Sequence, residues 1–297
     1  MQIDRIFTVL DKPKHEQAAL ARTRELIAHR GPAKPRRPDQ VAAFCWQPLA
    51  EAAKTVGAAD AKALKRNLID ERKHWLAEML AEQGADNLAS KTIWTPQIAD
   101  WISSNLTPDR FDLVVKSIHR HPHLEPSETD WELLNGCPVP LLLTANPPVK
   151  RRRNVLAAID LQKLDRKHQA LNFQVLDAAA TLARLTDSEL HVACAVEYSQ
   201  VLRDLDVIDP DTLQRRLKKD SAPLLASLCA PYEVATEHRH FPLGKAGMAL
   251  NQTAKTIKAG TIVMGSFPHP GKALFGVGNT ASRIIRKANC DVLIVPT

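Results

Sequence analysis

The stretch "IVMGSFPHPGKALFGVGNTASRIIRKANCDVLIVP" occupies residues 262–296. A strand-like apolar run ends at Gly265, a glycine-rich loop follows, and a helix-like segment opens at Asn279 before a second apolar run, Asp291–Pro296. A strand that turns through glycines into a helix start presents free N–H groups and the positive end of the helix dipole to an anion. Pro268 interrupts this loop: it has no N–H and a fixed φ.

Working outward, three pieces of the chain occur twice in the same order, about 150 residues apart: "DRIFTVLD" (4–11) with "RNVLAAID" (153–160), "DLVVKS" (112–117) with "TIVMGS" (261–266), and "GCPVPLLLT" (136–144) with "NCDVLIVPT" (289–297). One duplicated unit accounts for all three pairs. In the second copy, strand-like runs ("NVLAAID", "LHVACAVEY", "YEVATEHRHF", "TIVMG", "DVLIVP") alternate with helical patterns such as "HQALNFQVLDAAATLARL" and "DPDTLQRRLKKDSAPLLASL". The latter opens on Asp209 and Pro210, residues suited to a first helical turn. The first copy reads the same way. Strands separated by helices imply right-handed crossovers and a mostly parallel sheet with helices on both faces. The fold class is therefore α/β, with two tandem doubly wound units spanning 1–147 and 153–297. "NPPVKRRRN" (146–154) reads as the exposed linker between them.

Bulk properties agree with this reading. Charged residues are 25% and hydrophobic residues 44% of the 297, ordinary for a globular chain of about two domains. No apolar stretch approaches the roughly 20 residues of a membrane span. "MQIDRIFTVLD" reads as a first strand rather than a secretory leader, so a cytoplasmic location is expected. Five scattered cysteines without a C-x-x-C read as small buried hydrophobes rather than disulfides or zinc ligands. The net charge of +7 is split among "KPRR" (34–37), "KRRR" (150–153) and "RRLKK" (215–219), none interleaved with aromatics. It reads as solvated surface, with nucleic acid not expected as a partner. The five tryptophans show no regular spacing and read as packing residues.

At the strand ends and across the last 36 residues the sequence resembles the universal stress proteins in their tandem form; "TDWELLNGCPVPLLL" (129–143) resembles the tandem subgroup as well. The resemblance implies sheet order 3-2-1-4-5 in each five-stranded unit and halves packed as a pseudo-dimer, with pairing of whole chains a further option. It also implies a stress-response sensing or regulatory role, and a nucleotide, ATP or AMP, in those members that carry G-x2-G-x9-G-[S/T] after the fourth strand. Ligands of such sheets favour the crevice where strand order reverses, between the first and fourth strands. On this pattern Asp160 would meet the adenosine end, with Ala158, Ile159 and Ala195 or Val196 as apolar neighbours. Met264, Gly265, Ser266, Gly278, Asn279 and Thr280 would lie along the phosphates.

The family's second glycine would stand at position 268, which is proline here. The missing N–H donor to a charged group corresponds to roughly 1.5–3 kcal/mol, or about 10- to 100-fold in affinity. In the first unit Gly136 is the only glycine between Ser117 and Cys137, so no phosphate cradle and no nucleotide are expected there, although Asp11 is kept. His119, His121 and His123 in "HRHPH" could share one side of an extended segment, and "HRH" (238–240) puts two rings on one strand face. Both patterns read as solvated histidines, and no metal is assigned. Neither G-x4-G-K-[ST] nor G-x-S-x-G occurs, and no catalytic residue is assigned. A nucleotide-hydrolysing enzyme would have to draw on His269 or Lys272. A non-nucleotide apolar or acyl ligand in the same crevice is the other alternative.

Overall fold

The computed structural model describes residues 1–30, 38–118, 126–145, 154–163, 165–197, 209–267 and 279–297. Its strands are β1 Ile6–Leu10, β2 Gln40–Cys45, β3 Ala89–Trp94, β4 Leu113–Ser117, β5 Leu141–Thr144, β6 Asn154–Ile159, β7 Glu189–Cys194, β8 Arg239–His240, β9 Ala259–Ser266 and β10 Asp291–Pro296. The helices are α1 Ala18–Arg30, α2 Leu49–Val56, α3 Ala58–Glu82, α4 Ile98–Asn105, α5 Glu128–Gly136, α6 Arg166–Leu185, α7 Pro210–Cys229, α8 Ala246–Thr256 and α9 Asn279–Lys287.

The strands form one sheet in the order β3-β2-β1-β4-β5-β10-β9-β6-β7-β8. Read from each outer edge inward, this is 3-2-1-4-5 twice, as expected. Neighbours within each half are parallel, while β5 and β10 run antiparallel, with Leu142 opposite Leu293. The pseudo-dimer is thus joined edge to edge, which removes the exposed inner edge that each half would otherwise present.

Burial explains why these runs become strands. β1, β4 and β5 are buried along their whole length, and apolar residues point to both faces. One face packs under α4, α5, α8 and α9, with Phe7, Ile102, Leu133, Leu156, Ile262 and Ile284 in a single cluster. The other packs under α1, α6 and α7, with Ile6, Leu26, Leu142, Val175, Leu225 and Val263 in another. Both clusters contain residues of both halves, so the core crosses the β5–β10 seam. Polar groups cross it too. Asp291 accepts from Ala145 N–H at 2.8 Å and lies 3.2 Å from Arg22 Nε, Arg22 reaches Thr261 Oγ1 at 3.2 Å, and Arg286 stands 5.6 Å over the Trp131 ring.

Local sequence fixes the helix ends. Asp209 accepts from the N–H groups of Asp211 and Thr212, with Pro210 in the first turn of α7. Ser127 and Asp130 form a reciprocal capping box at α5. α8 and α9 cross closely at Gly247, where a Cβ would lie 2.5 Å from Arg283 Cβ. One element departs from expectation. "YEVATEHRHF" supplies only the two-residue β8, because the chain first turns through 3-10 segments at Ala230–Tyr232 and Thr236–His238, with Glu233 at φ 53°. The cysteines are free thiols, four buried and Cys45 half-buried, as expected.

Candidate functional site

In the second half, β6 and β9 are adjacent and parallel, so the strand order reverses between them and their C-terminal ends stand side by side. Asp160 follows β6 directly, and Asn172 on α6 clamps its backbone. Asp160 N–H donates to Asn172 Oδ1 at 3.0 Å, and Asn172 Nδ2 donates to Asp160 O at 2.7 Å. Asp160 Oδ1 accepts from Gln162 N–H at 2.8 Å. Asn172 thus fixes the Asp160 backbone, and a neutral N–H group, that of Gln162, holds its carboxylate.

The other expected residues divide between the faces. Ala158 and Met264 sit side by side across the β6–β9 ladder and pack with the α8–α9 cluster, as does Ala195. Ile159 points to the opposite face, among Leu161 and Leu171. Val196 is buried and bridges to Leu243, while the next residue, Glu197, accepts from Ala246 N–H at the start of α8 at 2.6 Å. Ser266 lines a separate cavity of about 210 Å³ at the seam, with Cys137, Pro138 and Pro296. Thr280 lies in the first turn of α9, half-buried. Pro268, His269, Lys272 and Gly278 lie outside the described residues, as do the Asn279 side chain and the "HRHPH" segment.

Gly265 has a packing role that sequence reasoning missed. A Cβ there would lie 2.4–2.8 Å from three atoms of Leu171. The positive-φ glycines among the described residues are Gly57, Gly84 and Gly244, so close helix approach, not a left-handed turn, requires glycine at 265.

The equivalent place in the first half is occupied by Lys116, on β4. Its side chain is fully buried, with Nζ 3.0 Å from Asp11 Oδ2, 2.8 Å from Asp130 Oδ1 and 3.1 Å from Ser117 O. These three acceptors match the three donors of an ammonium. Asp130 Oδ2 in turn accepts from Ser127 N–H and Oγ at 3.0 and 2.8 Å. Burial alone would lower the Lys116 pKa, but Asp130 and Asp11 outweigh it and raise the pKa above its ordinary value. A carboxylate of the chain itself thus occupies the anion position at the α5 N-terminus, and a lysine seals the crevice behind it. The signals were a lysine inside the apolar "DLVVKS" and the S-x-x-D of "SETD".

Beyond this plug, at the C-terminal ends of β1, β2 and β3, lies a cavity of about 520 Å³. Asp11, Lys12, Trp46, Arg72, Trp75 and Trp94 are among its lining residues. Arg72 stacks 5.3 Å from the Trp75 ring, and burial lowers its pKa. Three of the five tryptophans therefore line a cavity, although Trp75 also packs against the Leu10, Leu20 and Leu76 cluster as the packing expectation has it. Trp101 follows it too, stacking on Phe7 at 5.9 Å. The "HRH" histidines do not stand alone either: His191 of β7 contacts His238 (ring centroids 4.0 Å) and His240 (5.2 Å).

Residues 151–296 match the model of the universal stress protein family. The chain belongs to the universal stress protein family. As a universal stress protein it is similar along its length to Universal stress protein E of Salmonella typhi, 24% identical over 242 residues covering 78% of this chain and 76% of the relative. The Universal stress protein E homolog of Haemophilus influenzae is 22% identical, covering 99% and 97%. A functionally unknown protein from Pseudomonas aeruginosa shares the fold with a TM-score of 0.67 at 22% identity, covering 99% of this chain and 92% of its own. A universal stress protein from Archaeoglobus fulgidus does so at 0.64 and 14%, covering 98% and 96%. Among the described residues no helix is long and apolar enough to cross a membrane.

Proposed function

We propose that this stress-response protein is a ligand-sensing regulatory module whose second half takes a nucleotide, ATP or AMP, in the crevice between β6 and β9. One contrast carries the reading. Where the first half fills its crevice with the Lys116–Asp11–Asp130 plug, the second half has Gly265 and an Asp160 held by neutral groups. That leaves Asp160 hydrogen-bonded to a neutral backbone group at the strand ends of the second half, where a ribose hydroxyl and a phosphate chain running to a helix start would be recognised. Asp160 and Ala158 would meet the nucleoside, and the 265–280 segment the phosphates.

Calorimetric titration of the full chain with ATP and AMP tests this. Asp160→Ala is expected to weaken binding about 10- to 100-fold, the loss of one charge-assisted hydrogen bond, and Pro268→Gly to tighten ATP binding by a similar factor. Wild-type affinity in both variants would refute the assignment.

A second reading has its own observation, the cavity walled by Trp46, Trp75 and Trp94 beside Arg72. Those surfaces suit a flat or apolar ligand with an anionic group. The sequence supplies the discriminating probe, since all five tryptophans precede residue 132. A nucleotide bound in the second half is expected to leave the emission of Trp46, Trp75 and Trp94 unchanged and to reach at most Trp131, which lies under Arg286 of α9. Quenching that disappears in Trp94→Phe would move the ligand to the first half.

A further inference from the structure

We propose that Glu189, His191 and His238 form a binding site for one divalent transition-metal ion, with zinc the best match to their donor atoms. The site lies at the outer edge of the second half, remote from the β6–β9 crevice. Strand alternation assembles it. Glu189 and His191 share one face of β7 as an E-x-H pair. His240 arrives on the same face because Ala193 is in parallel register with it, and His238, at the end of the preceding 3-10 segment, stands with its ring 4.0 Å from that of His191.

One ligand atom from each of Glu189, His191 and His238 can be chosen so that all three lie within 4.8 Å of one another. Glu189 Oε2 stands 3.8 Å from His191 Nε2 and 3.9 Å from His238 Nε2. These gaps are too long for hydrogen bonds. Ligands about 2.0–2.2 Å from a tetrahedral zinc stand roughly 3.3–3.5 Å apart, so the two carboxylate–imidazole gaps need to close by only about half an ångström.

The second, independent observation is His191 itself. It is 6% exposed, and its Nε2 has no hydrogen-bond partner. Its Nδ1 lies 3.0 Å from His240 Nε2. With the Nδ1 proton donated to His240, the Nε2 lone pair is left aimed at Glu189 and His238. This is the usual second-sphere arrangement of a metal-bound histidine, whose other N–H is fixed by a neighbour. Glu189 is mostly exposed, which leaves water access to a fourth position. Two imidazoles and one carboxylate match zinc better than magnesium or calcium, which take oxygen ligands.

The test is titration of the full chain, stripped with EDTA, using zinc by calorimetry and cobalt by visible absorption. One equivalent is expected to bind, with tetrahedral cobalt bands and a raised melting temperature. His238→Ala and Glu189→Gln change accessible side chains, and circular dichroism would verify their folding. Each is expected to weaken zinc binding by at least 10- to 100-fold, the loss typical of an outer-sphere partner. A triple His119→Ala, His121→Ala, His123→Ala variant is expected to bind as the wild type. No uptake by the wild type, wild-type affinity in both site variants, or loss of binding in the triple variant would each overturn the assignment.

Discussion

Asp130→Ala is expected to destabilise the protein by about 2–5 kcal/mol, the loss of a buried charge-assisted hydrogen bond together with a helix cap. Lys116 would keep Asp11 and the Ser117 carbonyl but lose its shortest contact, 2.8 Å, in a place with no exposed surface. The α5 capping box would go as well, because Asp130 accepts from Ser127 N–H. The nearby Trp131 makes urea unfolding followed by fluorescence a suitable measurement, and a loss below about 1 kcal/mol would contradict the account. The pH dependence has a definite sign. Since the folded-state pKa of Lys116 is raised, its contribution is complete below the unfolded value near 10.4 and is lost as pH climbs through the folded value. The stability gap between wild type and Lys116→Met should therefore hold steady through neutral pH and narrow only in strong alkali.

Gly265→Ala is expected to cost about 1–3 kcal/mol through overpacking. The new methyl would meet Leu171 side-chain atoms at 2.4–2.8 Å, and β9 is held between β6 and β10, so neither partner can easily retreat. Leu171→Ala alone should cost about 2–5 kcal/mol by leaving a void. Combining the two fills part of that void, so the double variant should be at least 1 kcal/mol more stable than the sum of the single losses predicts. Strict additivity in chemical denaturation would show that Leu171 is not what demands glycine there. Nucleotide affinity in the double variant then separates the two roles: if packing alone requires Gly265, binding survives.

The fold was legible because its signals are local and repeated. Apolar runs of strand length, helix starts such as Asp209–Pro210, and a duplication kept in order all follow from contacts near in sequence. The missed features depend on strand order. Lys116 meets Asp11 because β4 lies beside β1, a pairing that no local pattern displays, so the residue replacing Gly265 in the first copy was overlooked. His191 reaches "HRH" only through the β7–β8 register. Trp46 follows β2, Trp75 is on α3 and Trp94 ends β3, which is why their spacing looked random. Gly265 was read from its lack of a side chain toward a ligand, when the approaching group is Leu171 on α6. For the crevice itself, Asp160 and its neighbour Ala158 stand where the strand ends put them, whereas Ile159 faces away, as period-two alternation requires.

The β5–β10 ladder has a consequence for the connecting peptide at 146–153. Main-chain hydrogen bonds, the Arg22–Asp291 contact and an apolar interior shared by both copies all span the joint without using that peptide. Proteolytic cleavage there should leave two fragments that co-elute as a single particle. The tether would then serve chiefly to keep the pair in one-to-one stoichiometry, leaving each copy free to diverge without losing its mate.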